Sequence, residues 1–178
     1  MSKGFSSSVS GPVFEQIQKD ALGKNRSKEW YRSKLIEYLQ QTFNEDDDTP
    51  DDESEERGGV EPGEMYFFSY SAAYPEKYPY HDLYPLVYVI EVEESSFLGA
   101  NLHYLSPTIR PGYAKSLINK GDGIIVPNKT IHRYLFSQIQ SSFNRVTPTN
   151  YEGVSVLPVE QFVDASGDTI ISRKIWRS

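Results

Sequence analysis

Two adjoining runs of strand-forming residues constrain the fold of this chain more than any other feature. The run PLVYVIEVE (residues 85–93) is rich in β-branched and aromatic residues, and FLGANLHYL (residues 97–105) follows after Glu94, Ser95 and Ser96. So short a polar connection between two such runs predicts a β-hairpin. Gly99 in the second run indicates a bulge or a close approach of two backbones. We therefore expect a mainly antiparallel sheet built on this hairpin.

Further strands and two helices are predicted around the hairpin. EMYFFSY (64–70) predicts a strand, and VLPVEQFVD (156–164) and TIISRKIW (169–176) predict two more, joined by a turn. RPGYAKSLIN (110–119) predicts a short helix. A longer amphipathic helix is predicted over 131–146. Its apolar face would consist of Ile131, Leu135, Ile139, Phe143 and Val146.

These elements predict an α+β fold that is mainly β. Several short strands joined by local hairpins fit a small antiparallel SH3-like barrel or a bent sheet, with the amphipathic helix inserted. Residues 71–84, which are rich in tyrosine and proline, are expected to form a long loop beside this core.

The N-terminal part of the chain predicts a helical extension. Residues 12–23 and 25–43 carry apolar side chains at helical spacing, and Pro12 and Gly23 suit the two ends of the first helix. Residues 1–43 contain seven basic and four acidic residues, so the extension is net positive.

An acidic tract follows the extension and accounts for the net charge of −7. EDDDTPDDESEE (45–56) contains nine of the 25 acidic residues and no basic one, which leaves 16 acidic against 18 basic residues elsewhere. Such a tract repels itself and predicts a linker. A calcium site is the alternative, although the tract lacks the spacing of a calcium-binding loop. We predict a basic helical extension over 1–44, an acidic linker over 45–60 and a β-rich core domain over 61–178.

Composition excludes several classes of protein. There is no cysteine, so neither disulfides nor thiolate zinc sites can form. The longest apolar run, PLVYVI, is too short to span a bilayer, and the start MSKGFSSSVSGPVF lacks the apolar region of a secretory signal. We expect a soluble protein that is made inside the cell, has no cofactor and does not contact a membrane.

Candidate catalytic residues do not converge in the sequence. His81, His103 and His132 are far apart along the chain, and no Gly-x-Ser-x-Gly motif is present. A metal-dependent nuclease would need Asp82 or Glu93 near a cation, yet the first lysine after Glu93 is Lys115. We predict no enzymatic activity, no catalytic residue and no metal site.

The aromatic residues favour a binding surface. Tyrosine supplies apolar area together with a hydroxyl, which suits interfaces with other polypeptides. The predicted partner-binding residues are Trp30, Tyr31, Tyr74, Tyr78, Tyr80, Tyr84 and Trp176. DNA is a less favoured partner, suggested by aromatic residues among the basic residues of the N-terminal extension and of the tail RKIWRS.

Three blocks of sequence resemble a family of small proteins from T4-like contractile-tailed bacteriophages. They are GEMYFFSY, YPYHDLYPLVYVIEV and SFLGANLHYLSP, within residues 63–107. The matching positions of the second and third blocks are Tyr78, Pro79, Tyr80, Asp82, Tyr84, Pro85, Leu86, Val87, Phe97, Gly99, Asn101, Leu102, His103, Tyr104 and Leu105. The chain departs from the family at residues 71–73 and at Ser96. The resemblance implies a virion or virion-assembly protein and brings no catalytic residues.

We therefore expect a non-enzymatic structural component of a tailed-phage particle, in its tail, baseplate or neck. Its expected partners are other phage structural proteins and further copies of itself, and its expected location is the virion. The alternative is a DNA-binding or DNA-end-processing protein that acts at head completion.

Overall fold

The computed structural model describes residues 10–46, 59–118 and 125–178. The helices are α1 (Ser10–Ala21), α2 (Lys28–Asp46), α3 (Arg110–Ser116), α4 (Tyr151–Ser155) and α5 (Ser172–Arg177). The strands are β1 (Met65–Phe67), β2 (His81–Asp82), β3 (Leu86–Val92), β4 (Ser96–Asn101), β5 (Ile131–Leu135), β6 (Asn144–Val146), β7 (Phe162–Val163) and β8 (Thr169–Ile170). Short 3₁₀ turns connect several of them.

Two antiparallel sheets organise the molecule. The larger has the strand order β5-β4-β3-β1-β6, and the smaller has the order β2-β7-β8. Every strand pair in both sheets is antiparallel. The α+β prediction is confirmed in its bent-sheet form. The larger sheet runs from β5 to β6 without closing, so the SH3-like barrel does not form.

The predicted β3–β4 hairpin is confirmed. Val92 lies opposite Phe97, and the backbone amide of Glu93 donates to the Ser96 carbonyl at 2.8 Å, which closes the turn. The irregularity in the ladder falls between Val89 and Glu91, on β3. Gly99 is instead a point of close backbone approach, because a Cβ there would lie 2.8 Å from the Tyr88 carbonyl oxygen.

The two faces of the larger sheet carry separate apolar clusters, as the two-residue period of a strand requires. One face packs against helices α1 to α4, and its strand residues include Met65, Phe67, Leu86 and Tyr88. The opposite face carries an aromatic cluster that includes Tyr66, Phe68, Val87, Val89, Phe97 and Tyr134. Sequence neighbours thus belong to different clusters.

The two predicted N-terminal helices form and pack on the sheet. Ile17 on α1 and Leu35 and Leu39 on α2 are buried in the same cluster as Met65 and Leu86. Residues 47–58, which include all of the acidic tract after Asp46, lie outside the described residues. The domain boundaries at 44 and 60 therefore stay predictions.

The prediction of an amphipathic helix over 131–146 is wrong. This segment forms β5, a 3₁₀ turn at Phe136–Gln138 and β6. Apolar residues four apart, as at Ile131 and Leu135, fit the helical period and are also an even number of residues apart, so they fit a strand as well. Pairing of β5 with β4, a contact between distant parts of the chain, decides between the two.

The C-terminal strands are shorter than predicted. The turn at 165–168 does join β7 to β8, and the Asp164 amide donates to the Asp168 carbonyl at 3.0 Å. The second half of TIISRKIW forms α5, which buries Ile175 against Tyr104 and Phe162. Residues 151–155, for which the sequence predicts no element, form α4. Within the described ranges, no helix has both the length and the apolar character needed to cross a bilayer.

Candidate functional site

A cavity of about 370 Å³ lies between strand β5 and the segment of residues 71–84, which we call the Tyr/Pro loop. We call it the tyrosine cavity, because six tyrosines contribute to its lining: Tyr70, Tyr74, Tyr78, Tyr80, Tyr104 and Tyr134. Its size falls in the range of ligand pockets in proteins, which are mainly apolar with a few placed polar groups. The loop supplies one wall, and four consecutive residues from His132 to Leu135 on β5 supply the other.

The tyrosines of the cavity differ in exposure. Tyr74 and Tyr78 on the loop are 56% and 55% exposed, whereas Tyr104 and Tyr134 are buried. Burial raises the pKa of Tyr70, Tyr104 and Tyr134, so their phenols stay uncharged at neutral pH. The lining therefore combines buried, uncharged phenols with two exposed tyrosine rings.

Two histidines also line the cavity. The ring of His132 stacks on Tyr104 with centroids 4.2 Å apart, and its Nε2 donates to the Lys129 carbonyl at 2.8 Å. Burial lowers the pKa of both His132 and His81, which favours the neutral imidazole. Nε2 of His81 is buried and has no hydrogen-bond partner in the described part of the chain.

The two cations in the lining are held by neighbouring groups. Lys129 Nζ donates to the carbonyls of Trp176 and Ser178 at 2.9 and 3.0 Å. Arg133 Nη1 lies 3.0 Å from Ser96 Oγ and 3.2 Å from a carboxylate oxygen of Glu93. Arg133 remains 45% exposed, so its pair with Glu93 is a weak surface interaction.

Asp82 is a buried carboxylate at the edge of the cavity. Its Oδ2 accepts from His103 Nδ1 at 2.7 Å and from Asn101 Nδ2 at 3.0 Å. Its Oδ1 accepts from the backbone amides of Tyr84 and Gln161, both at 3.1 Å. Burial alone would raise the pKa of Asp82, but the His103 imidazole and these hydrogen bonds outweigh it and hold the pKa below its usual value.

A second buried network joins α2, α3 and the segment before β7. The guanidinium of Arg110 is fully buried and donates to the carbonyls of Leu105 and Ser155 at 2.8 and 3.2 Å. Nη1 of Arg110 lies 3.7 Å from Glu160, whose other carboxylate oxygen accepts from Lys28 at 2.7 Å. This network ties the N-terminal helices to the C-terminal part of the chain.

Both buried polar networks join segments that are far apart in the sequence. Histidine oriented by a carboxylate is part of many hydrolytic sites, where the histidine must also reach a nucleophile. The His103 ring is fully buried, and its Nε2, the nitrogen that would face a nucleophile, has no hydrogen-bond partner among the described residues. No group of three or more His, Asp or Glu close enough to hold a metal ion occurs among the described residues. Glu93, the other acid of the nuclease alternative, pairs with Arg133 at the surface.

The seven predicted partner-binding residues occupy four places. Tyr74, Tyr78 and Tyr80 come together at the tyrosine cavity. Tyr84 packs against the helix-covered face of the sheet, and the indole Nε1 of Trp176 donates to the His103 carbonyl at 2.9 Å. Trp30 and Tyr31 lie on α2, where they make an edge-to-face pair.

Sequence reasoning missed half of the aromatic lining. Tyr70 and Tyr104 fall in predicted strands, and Tyr134 falls in the wrongly predicted helix. The alternation of His132, Arg133 and Tyr134 was the available signal, because it places the two aromatic rings on one face of a strand. Only the pairing of β5 beside β4 brings that face to the loop.

No family model matches the chain, and comparison with curated proteins and with solved structures found no similar protein. The function must therefore be inferred from the geometry of the tyrosine cavity and from the residues of the three sequence blocks.

Proposed function

We propose that this chain is a non-enzymatic structural protein of a contractile-tailed phage particle, which binds neighbouring subunits through the tyrosine cavity. The observation that carries the proposal is the pairing of two exposed rings, Tyr74 and Tyr78, with a preformed aromatic cavity. The resemblance of residues 63–107 to proteins of contractile-tailed phages supports a location in the virion, in the tail, the baseplate or the neck.

Aromatic rings around a cavity favour the binding of another polypeptide. Tyrosine gives a large contact area at a small cost in conformational entropy, and binding energy concentrates in aromatic anchors that enter pockets. Exposed rings above a preformed cavity are the arrangement that such anchoring needs.

Mass spectrometry of purified particles tests the setting. If the chain is a virion component, mature particles contain it in a fixed ratio to the major tail proteins. Its absence from mature particles would rule out the virion function.

A double variant and a control variant test whether the tyrosine cavity binds neighbouring subunits. We expect the double variant Tyr74→Ala and Tyr78→Ala to lose incorporation into particles while it stays folded, because both rings are exposed. Leu22→Ala is the control, since Leu22 is 79% exposed, follows α1 directly and does not line the cavity. Equal incorporation of both variants would contradict a binding function of the cavity.

A DNA-binding function at head completion is the second candidate. The guanidinium of Arg26 lies 4.8 Å and the ammonium of Lys34 5.8 Å from the centre of the Trp30 ring, which makes a small cationic aromatic patch. Lys28 and Arg32, however, bind Glu160. This candidate predicts DNA affinity that falls steeply with salt and that Trp30→Ala weakens. A gel shift without such binding would remove it.

A further inference from the structure

Strand β5 is an edge strand of the larger sheet, so only one of its two sides pairs with another strand of that sheet. In an antiparallel ladder the main-chain groups of successive residues point alternately toward and away from the neighbouring strand. The Phe136 amide donates to the Ser95 carbonyl at 3.1 Å, so the ladder with β4 uses Phe136, Tyr134 and His132. The main-chain groups of Ile131, Arg133 and Leu135 therefore point away from β4.

Among the residues of β5 whose main chain points outward, Arg133 has no main-chain partner in the described part of the structure. The amide of Ile131 donates to the Asn128 carbonyl, and the Tyr70 hydroxyl has a hydrogen bond with the main chain of Leu135. For the outward N–H and C=O of Arg133, no partner occurs among the residues that the structure describes. Exposed strand edges of this kind are templates for an added strand.

The tyrosine cavity lies along this edge. Side chains of successive strand residues point to opposite faces, yet four residues in a row from His132 to Leu135 line the cavity. The cavity must therefore run beside the backbone edge of β5, and not only over one face. A chain that paired with Arg133 would place its next side chain on the face of the sheet that carries His132 and Tyr134, two residues of the cavity lining.

We propose that β5 binds an extended segment of a partner polypeptide as an added strand, and that a bulky apolar side chain of this segment enters the tyrosine cavity. One residue of the partner exchanges two main-chain hydrogen bonds with Arg133. This mode of recognition combines main-chain hydrogen bonds for affinity with a pocket for specificity. It rests on the proposed function and states how the partner is held.

The charged groups of the cavity lining determine which residues can flank the apolar side chain of the partner segment. Lys129 and Arg133 are the cationic side chains in the lining, and its one carboxylate, Asp82, is buried and fully engaged. Lys129 donates to the main-chain oxygens of Trp176 and Ser178, and the exposed pair of Arg133 with Glu93 is weak enough for a carboxylate of the partner to replace Glu93. A partner segment with an aspartate or glutamate beside its bulky residue complements this balance. The occupant is accordingly an extended acidic segment with an aromatic or large aliphatic anchor.

Arg133→Pro isolates the main-chain contact. Proline lacks an N–H and places its ring on the outward side, so it blocks strand addition, whereas the ladder of β5 with β4 does not use the Arg133 amide. Arg133→Lys is the matched control, because it keeps both the charge and the N–H. Ala73→Trp, which adds a large ring to the lining, tests the cavity separately.

The probe is a synthetic library of random nine-residue peptides on beads, selected with the full chain. We expect enrichment of peptides with a bulky apolar residue next to an acidic one. Arg133→Pro should weaken binding of an enriched peptide about tenfold, as loss of a main-chain hydrogen bond and a steric block imply, while Arg133→Lys changes it less than about twofold. Ala73→Trp should weaken it to a similar degree as the proline variant.

Hydrogen exchange on the wild-type chain gives a readout that does not depend on folding of the proline variant. In the complex, the Arg133 amide should become protected while the amides of α3 keep their rates. Equal binding by Arg133→Pro and wild type, or an unprotected Arg133 amide in the complex, would overturn the proposal. So would a failure of the library to yield a binding peptide.

The two proposals fail separately. Absence of the chain from particles, with strand addition at β5 intact, would end only the virion function. Presence in particles, with incorporation insensitive to Arg133→Pro, would end only the strand-addition mode.

Discussion

Asp82 shows how a single side chain can fix the meeting point of several segments. Its two oxygens bind donors from His103, Asn101, Tyr84 and Gln161, which belong to three separate parts of the chain. A buried carboxylate loses its hydration, and these donors replace it. The hydrogen bonds to Asp82 therefore hold these three parts of the chain together.

Replacing Asp82 by asparagine should destabilise the protein strongly. The new amide NH₂ would face the donors of Asn101 or His103, which would leave buried polar groups unsatisfied. We expect a loss of about 3 kcal/mol in the free energy of unfolding, measured by urea denaturation. Asp168→Asn is the control, since Asp168 is exposed in the β7–β8 turn, and it should change stability by less than about 0.5 kcal/mol. Similar stability of the two variants would contradict the structural role of Asp82.

The histidines of the cavity should make stability depend on pH below neutrality. Burial lowers the folded-state pKa of His132 below its ordinary value of 6.5, so the unfolded chain takes up protons first as the pH falls. By linkage, the free energy of unfolding decreases from about pH 6.5 downward. His81 acts in the same direction, because burial also lowers its pKa.

The variant His132→Phe should reduce this pH dependence, because it keeps a ring over Tyr104 and cannot titrate. Urea denaturation at pH 7.5 and at pH 5.5 measures the change. An unchanged difference between the two pH values would show that His132 does not contribute.

At the level of elements, the packing of β4 on β3 depends on one glycine. A Cβ at Gly99 would lie 2.8 Å from the Tyr88 carbonyl and would also collide with the Val87 side chain. The backbone of β3 cannot yield easily, because Val87 and Tyr88 are themselves fully buried. The hairpin therefore admits no side chain at this position.

Gly99→Ala should lower the stability by about 1–3 kcal/mol, as overpacking of a core does. Gly112→Ala is a matched control, because Gly112 lies in α3 and a Cβ added there would have no atom within 4 Å. Alanine there should be neutral or raise stability by up to about 1 kcal/mol, through its better helix propensity. Thermal unfolding measures both, and equal midpoints would count against the close approach of β3 and β4.

At the level of the whole molecule, the N-terminal helices are integral to the core. Ile17, Leu35 and Leu39 lie against the residues of β1 and β3, and Lys28 and Arg32 bind Glu160. These contacts join the first described residues to the last part of the chain. Unfolding should therefore be a single cooperative transition.

Leu35→Ala should cost about 2–5 kcal/mol, because it removes a fully buried side chain from the shared cluster. Leu22→Ala makes the same chemical change at a position that is 79% exposed, and it should cost little. Chemical denaturation followed by both circular dichroism and tryptophan fluorescence measures the costs and the cooperativity. Two separate transitions, or equal costs for the two leucines, would contradict a shared core.

The sequence by itself determined the local structure of this protein. The β3–β4 hairpin, the two N-terminal helices and the turn between β7 and β8 follow from contacts between near neighbours, which side-chain periodicity and turn residues specify. The sequence also marked Tyr74, Tyr78 and Tyr80 as a group, because all three lie on one loop. The close backbone approach at Gly99 was also one of the two structures that the sequence predicted there, because a glycine inside a strand indicates a bulge or such an approach.

Tertiary structure alone decided which distant segments meet. Ile131 and Leu135 fit a helix or a strand equally well, and only the free edge of β4 makes residues 131–135 a strand. Tyr104 and Tyr134 join the cavity, and His103 reaches Asp82, through contacts between residues far apart in sequence. Periodicity reports which face of an element is apolar and does not report which surface covers it. The unpaired edge at Arg133 and the cavity beside it exist because residues 131–135 pair with β4, which is a tertiary contact.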